Sequence, residues 1–157
     1  MKKAIWALCM TVVFFSCSGV VSKGGDAASQ GSLAEARSFL EENAMKTGVL
    51  SISDKLQYKI IKEGIGTSPG INDRIRVNYY GFFIDGRVFD STVESGPRVF
   101  TVSSMIDGWI EALMQMKEGA VWELYIHPDL AYGSRGRGPV PANTLLIFEL
   151  ELIEILK

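Results

Sequence analysis

The sequence predicts an α+β domain: an antiparallel sheet of about five strands wrapped over one short helix, with another short helix ahead of it. Three observations predict it. After Leu50 apolar and polar residues alternate through three segments, the period of a half-buried strand, and two shorter apolar segments, "RVFTV" and "VWELYI", supply further strands. The connections between those segments have hairpin rather than crossover spacing, which favours antiparallel pairing. Only one segment among them, around Trp109, keeps helical spacing. A chain of 157 residues with 47% hydrophobic content has room for one domain with a real core, plus appendages.

Residues 1–16 read as a signal peptide. Met1-Lys2-Lys3 is a basic opening, and Ala4 to Phe15 is an apolar run of signal-peptide length. That run is too short for a transmembrane helix, which needs ~20 apolar residues. It closes on "FFSCSG", which resembles the box at which bacterial lipoproteins are cleaved and acylated, with Cys17 as the new, lipidated N-terminus. Phe14 stands where that box prefers Leu or a similar aliphatic, and plain cleavage after Ser16 is the alternative. Cys9 lies inside the removed segment, so the exported domain has no cysteine pair and must be held by packing. Residues 17–32, rich in Gly, Ser and Ala without periodicity, read as a flexible tether.

Residues 33–48 form a short helical lead-in. Ser32 is the expected N-cap, with Glu35 completing a capping box. The helix should run from Leu33 to about Met45, with Leu33, Ala36, Phe39 and Leu40 on one face, and end near Gly48. At this length it should dock on its own domain or on a small partner surface rather than form a long coiled coil. Residues 49–157 carry the sheet. Its strands are "LQYKIIKEG", "RIRVNYYGFF" with Ile75, Val77 and Tyr79 on one face, "RVFTV", "VWELYI" and "TLLIFELELIEIL". In the last, Leu146, Phe148, Leu150 and Leu152 should face the core. Asp85-Gly86 predicts a tight hairpin turn with both central residues at positive φ. In "IDGWIEALMQMKEG", Trp109, Leu113 and Met116 mark the buried face of the helix, and Gly119 its close.

Most conventional chemistry is excluded by what is missing. A net charge of −2 with mixed signs lacks the basic footprint of a nucleic-acid binder. The lone histidine, His127, precedes Pro128 at a strand end and reads as a turn residue rather than a catalytic base. No His/Cys/Asp cluster suggests a metal, and the glycines of "YGSRGRGP" lack the Lys-Ser/Thr of a phosphate loop. What remains is aromatic surface, loop tyrosines and one carboxylate, Asp90, beside Phe89. Rotation about an X-Pro amide needs little else. Its barrier is ~18–20 kcal/mol, and the twisted amide loses resonance and dipole. A dry apolar pocket therefore favours the transition state over the planar ground state, without nucleophile or cofactor.

The segments "VNYYGFFIDGRVFDST", "IDGWIEALMQMKEG" and "HPDLAYGSRGRGPVPANTLLIFELELI" occur in the order and spacing of the FKBP-type peptidyl-prolyl isomerases, which the chain resembles from about Gln57 to Ile155. "FLEENAMKTGV" resembles the helical lead-in of their exported bacterial branch, the macrophage infectivity potentiator-like proteins. The lead-in here is far shorter than the helical extension through which those relatives often dimerise, so the resemblance does not imply a dimer. It implies an FKBP-like fold, isomerase activity, no cofactor and no metal. It also implies a site: Tyr79, Phe89, Asp90 and Tyr132 as the catalytic set, and Met105, Ile106, Trp109, Val140 and Phe148 as the proline pocket. In this reading Trp109 is the pocket floor, Ile106 offers a backbone donor, and Asp90 orients or polarises the twisted amide without acting as acid or base.

Two positions depart from the family pattern. Arg98 replaces an aromatic rim residue, and Arg137 lies near a site often held by His or a small residue. Both put a cation where relatives present apolar surface. The partners implied are proline-containing polypeptides, macrolides such as rapamycin, and a membrane reached through the lipidated Cys17 in a bacterial envelope or periplasm. The competing reading is a binding module, a chaperone or adhesion-type protein that uses the same pocket with little or no turnover.

Overall fold

The computed structural model describes residues 33–156. The signal peptide, the tether with Cys17, and the Ser32 cap expected from the sequence lie outside the described residues.

The alternating segments form one antiparallel sheet. In chain order the elements are α1 (Leu33–Asn43), β1 (Val49–Ser53), β2 (Leu56–Lys62), β3 (Arg74–Phe82), β4 (Val88–Ser91), β5 (Arg98–Thr101), α2 (Asp107–Leu113), β6 (Val121–Ile126) and β7 (Leu146–Leu156). The sheet order is β1-β2-β6-β7-β3-β4, and β5 continues the outer edge of β3 where β4 ends. To the five expected strands the structure adds β1 and β4. Both are short, five residues in β1 and four in β4.

Side-chain alternation divides the core between the two faces of the sheet. On one face Ile75, Val77, Tyr79, Leu124, Ile126 and the even residues Leu146 to Leu152 of β7 are buried. They pack against the α2 side, where Trp109, Leu113 and Met116 are buried at the spacing read from the sequence. Gly108 opens this contact: a Cβ there would stand 2.5 Å from Ile126 Cγ2. Gly119, at φ +80°, ends the turn that follows.

The opposite face is covered by α1. Ala36 and Leu40 bury themselves against Tyr125, Leu145 and Ile147, with Phe39, Val49 and Phe82 around them. The lead-in therefore docks on its own domain. Leu33, expected on that face, is 39% exposed. The helix runs to Asn43 rather than to about Met45, and its last turn is bonded to β2. Asn43 Nδ2 donates to Gln57 Oε1 (3.0 Å), and Gln57 Nε2 donates to the Leu40 carbonyl (2.8 Å). This buried relay from β2 adds a second donor to the Leu40 carbonyl, which also accepts from Ala44 N–H (3.0 Å), and so ties the helix end to the sheet.

The β3–β4 turn differs from the two-residue hairpin expected. Only Gly86 has positive φ (+83°); Asp85 does not. Gly86 N–H donates to the Phe83 carbonyl (2.9 Å) and Phe83 N–H to the Arg87 carbonyl (3.0 Å), so a single left-handed glycine closes a longer turn. The Asp85 side chain accepts instead from Arg87 N–H (3.0 Å) and pairs with its guanidinium (2.7 Å). Asp85 thus closes an Asx-type turn with its own side chain.

Candidate active site

Every residue the sequence assigns to the pocket lines one cavity of about 400 Å³ at the end of the sheet beside α2. Different elements supply the walls. Tyr79 comes from β3, Phe89 and Asp90 from β4, and Phe148 from β7. Met105 and Ile106 precede α2, Trp109 lies in its first turn, and Tyr132 and Val140 belong to the loop between β6 and β7.

The floor is a set of rings meeting edge to face, the arrangement that ring quadrupoles prefer. Trp109 lies 5.3 Å from Tyr79 at 77° and 5.2 Å from Phe148 at 79°. Phe89 meets Phe148 at 5.3 Å and 86°. A glycine makes room for this: a Cβ on Gly81 would lie 2.7 Å from Phe89 and 2.8 Å from Phe148. The Trp109 indole nitrogen is buried without a hydrogen-bond partner among the described residues. Ile106 is the N-cap of α2, in extended conformation (φ −65°, ψ 149°). Its carbonyl accepts from the amides of Trp109 and Ile110, while its own N–H has no hydrogen-bond partner among the described residues.

Polar groups gather at the mouth. The Tyr79 hydroxyl donates to Asp90 Oδ2 at 2.6 Å and accepts from Arg98 Nη1 at 2.9 Å. Arg98 also lies 3.8 Å from Asp90 Oδ2 and over the Tyr79 ring, 5.8 Å from its centroid. Arg98, expected as a rim cation, is thus folded onto the Tyr79–Asp90 pair. Burial raises the Tyr79 phenol well above its usual range, and the hydrogen bond to Asp90 raises it further. Tyr79 therefore remains a protonated donor, and Asp90 is held as a fixed acceptor. Thr92 fixes the backbone here: its N–H donates to the Tyr79 carbonyl (3.0 Å), and its hydroxyl accepts from Tyr79 N–H (2.9 Å).

Phe100, Ser104, Gly138 and Pro139 also line the cavity and were not assigned from the sequence. Phe100 had a signal. It lies two residues after Arg98 on β5, hence on the same face, and its ring sits 6.5 Å from that of Tyr79. Arg137 lines the mouth as well, its guanidinium 5.8 Å from the Tyr132 ring centroid. His127 is outside the cavity. Its Nδ1 accepts from Asp129 N–H (3.2 Å), capping the turn at Pro128–Leu130, and burial lowers its pKa from the usual 6.5.

The site so built can desolvate a small apolar ring, offer backbone and phenol donors around it, and hold one carboxylate at its edge. Comparison with known proteins agrees with that chemistry. Residues 66–153 match the family model described as "FKBP-type peptidyl-prolyl cis-trans isomerase". The chain is 50% identical over 129 residues to the FKBP-type 22 kDa peptidyl-prolyl cis-trans isomerase of Escherichia coli, covering 81% of this chain and 63% of that protein. It is 46% identical over 126 residues to the outer membrane protein MIP of Legionella longbeachae, covering 79% of this chain and 54% of that one. The chain thus spans less than two thirds of the length of either relative. A solved peptidyl-prolyl cis-trans isomerase from Pseudomonas syringae superposes with a TM-score of 0.76 at 36% identity, covering 85% of this chain and all of that one.

Proposed function

The chain belongs to the FKBP-type peptidyl-prolyl cis-trans isomerases, and from that premise we propose that it accelerates X-Pro bond rotation in proteins folding in a bacterial envelope. The observation that carries this reading is the aromatic box around Trp109, closed at its mouth by the Tyr79–Asp90–Arg98 cluster. The proline ring enters the box against Trp109, between Phe89, Phe148 and Val140. The Ile106 N–H and the Tyr132 hydroxyl bond the peptide on either side of the rotating amide. Asp90, fixed by Tyr79, orients the twisted amide at the edge. Because that amide is less polar than the planar one, a water-excluding box stabilises it more than the ground state. No covalent intermediate or proton transfer is required.

Further parts of the proposal concern context. Residues 1–16 export the chain, and 17–32 tether the lead-in at 33–48 and the isomerase domain at 49–157 to a membrane through acylated Cys17. Supporting this are the signal-like opening and a relative named as an outer membrane protein. A Cys17→Ser chain should move from the membrane to the soluble fraction; unchanged fractionation would remove the anchor. Rapamycin is the expected macrolide ligand of the same pocket. The activity is tested on a protein whose refolding is limited by an X-Pro bond. The full chain should shorten the slow phase catalytically, with rapamycin abolishing the effect. An unaltered slow phase would leave the pocket a binding site only.

A further inference from the structure

The charged residues that line the cavity are Asp90, Arg98 and Arg137. Asp90 is already engaged by the Tyr79 hydroxyl and lies beside Arg98, so those two opposite charges largely cancel. Arg137 has no carboxylate partner among the described residues. The mouth therefore presents one guanidinium in excess, on a chain whose net charge is −2.

Arg137 is also held in place. Its N–H donates to the Val140 carbonyl and its carbonyl accepts from Val140 N–H, both at 2.9 Å. The adjacent Gly136, at φ +63°, would carry a Cβ only 2.4 Å from the Val140 oxygen, so this loop is closed tightly against the pocket wall. A guanidinium on a pinned backbone loses less freedom on binding than one on a loose loop, and its fork suits a carboxylate.

Resting on the isomerase reading above, we infer that Arg137 is a specificity-determining residue, selecting X-Pro segments with an Asp or Glu beside the proline. With the proline ring in the aromatic box, the residues flanking it lie at the mouth. An acidic side chain there meets the surplus guanidinium, and a lysine is repelled by it. The contact is solvent-exposed, so the effect is modest and sensitive to salt.

The test measures kcat/KM for tetrapeptides carrying Glu, Gln or Lys immediately before or immediately after proline, using the full chain, with a Leu-Pro peptide as reference. At one of the two positions Glu should exceed Lys about three- to tenfold, with Gln between. That ratio should shrink toward one at ~1 M salt and in Arg137→Gln. Equal rates for Glu, Gln and Lys alongside brisk Leu-Pro turnover, or a ratio unchanged in Arg137→Gln, would overturn the inference while leaving the isomerase reading intact. Absence of turnover on every peptide would instead count against that reading. Fluorescence anisotropy of the same labelled peptides then reads the charge preference by binding alone, and equal affinities for Glu and Lys would overturn it there too.

Discussion

Gly81 and Asp90 stand opposite each other in the β3–β4 register, and they shape the pocket in contrary ways. Asp90 adds the carboxylate; Gly81 adds nothing, and that emptiness lets Phe89 and Phe148 close over the site. Gly81→Ala forces a methyl against both rings, a kind of overpacking that costs about 1–3 kcal/mol. The variant should fold but lose X-Pro turnover because its walls have moved, which peptide kinetics and near-UV circular dichroism will register together. Turnover equal to that of the parent would mean that the two rings do not form the working wall. At this scale the sequence is a good guide to types and a poor one to partners. Asp90 beside Phe89 signals a carboxylate at an apolar edge. That Arg98 folds back onto Tyr79 depends on β5 lying beside β3, a long-range pairing that no local pattern encodes.

The elements were legible in proportion to their periodicity. Trp109, Leu113 and Met116 declare the buried face of α2, and Leu146 to Leu152 that of β7, because one neighbouring layer imposes each pattern. The four residues of β4 include Asp90 and sit where the sheet opens into the cavity, so function interrupts their alternation. The Asp85-Gly86 pair misleads because the turn spans Phe83 to Arg87, with Gly86 alone at positive φ and the Asp85 side chain bonded to Arg87. The α1 helix is short, and its stability rests on Ala36 and Leu40 packing against the outer sheet face and on the Asn43–Gln57 relay. Leu40→Ala should cost about 2–5 kcal/mol in denaturant unfolding, with peptide turnover retained, since Leu40 lies on the face opposite the pocket. A cost below about 0.5 kcal/mol, the range of ordinary surface changes, would show that the helix is not docked in solution.

At the scale of the whole molecule, one sheet separates two tasks. Its outer face holds the lead-in helix that connects to the N-terminal segment, and its inner face holds the pocket. The pocket mouth is formed by β4, β5 and the loop between β6 and β7, remote in sequence from α1. The lead-in helix therefore packs without obstructing the pocket. In the proposed mechanism this site turns over X-Pro bonds with Asp90 as an oriented charge. The most direct test is isomerisation of a Leu-Pro-Phe peptide by the full chain and its Asp90→Leu variant. Fast turnover is expected of the parent. Losing a charged hydrogen-bond partner worth about 1.5–3 kcal/mol should slow the variant by about ten- to a hundredfold, with unchanged far-UV circular dichroism. Equal turnover by the two proteins, or no acceleration by the folded parent, would contradict it.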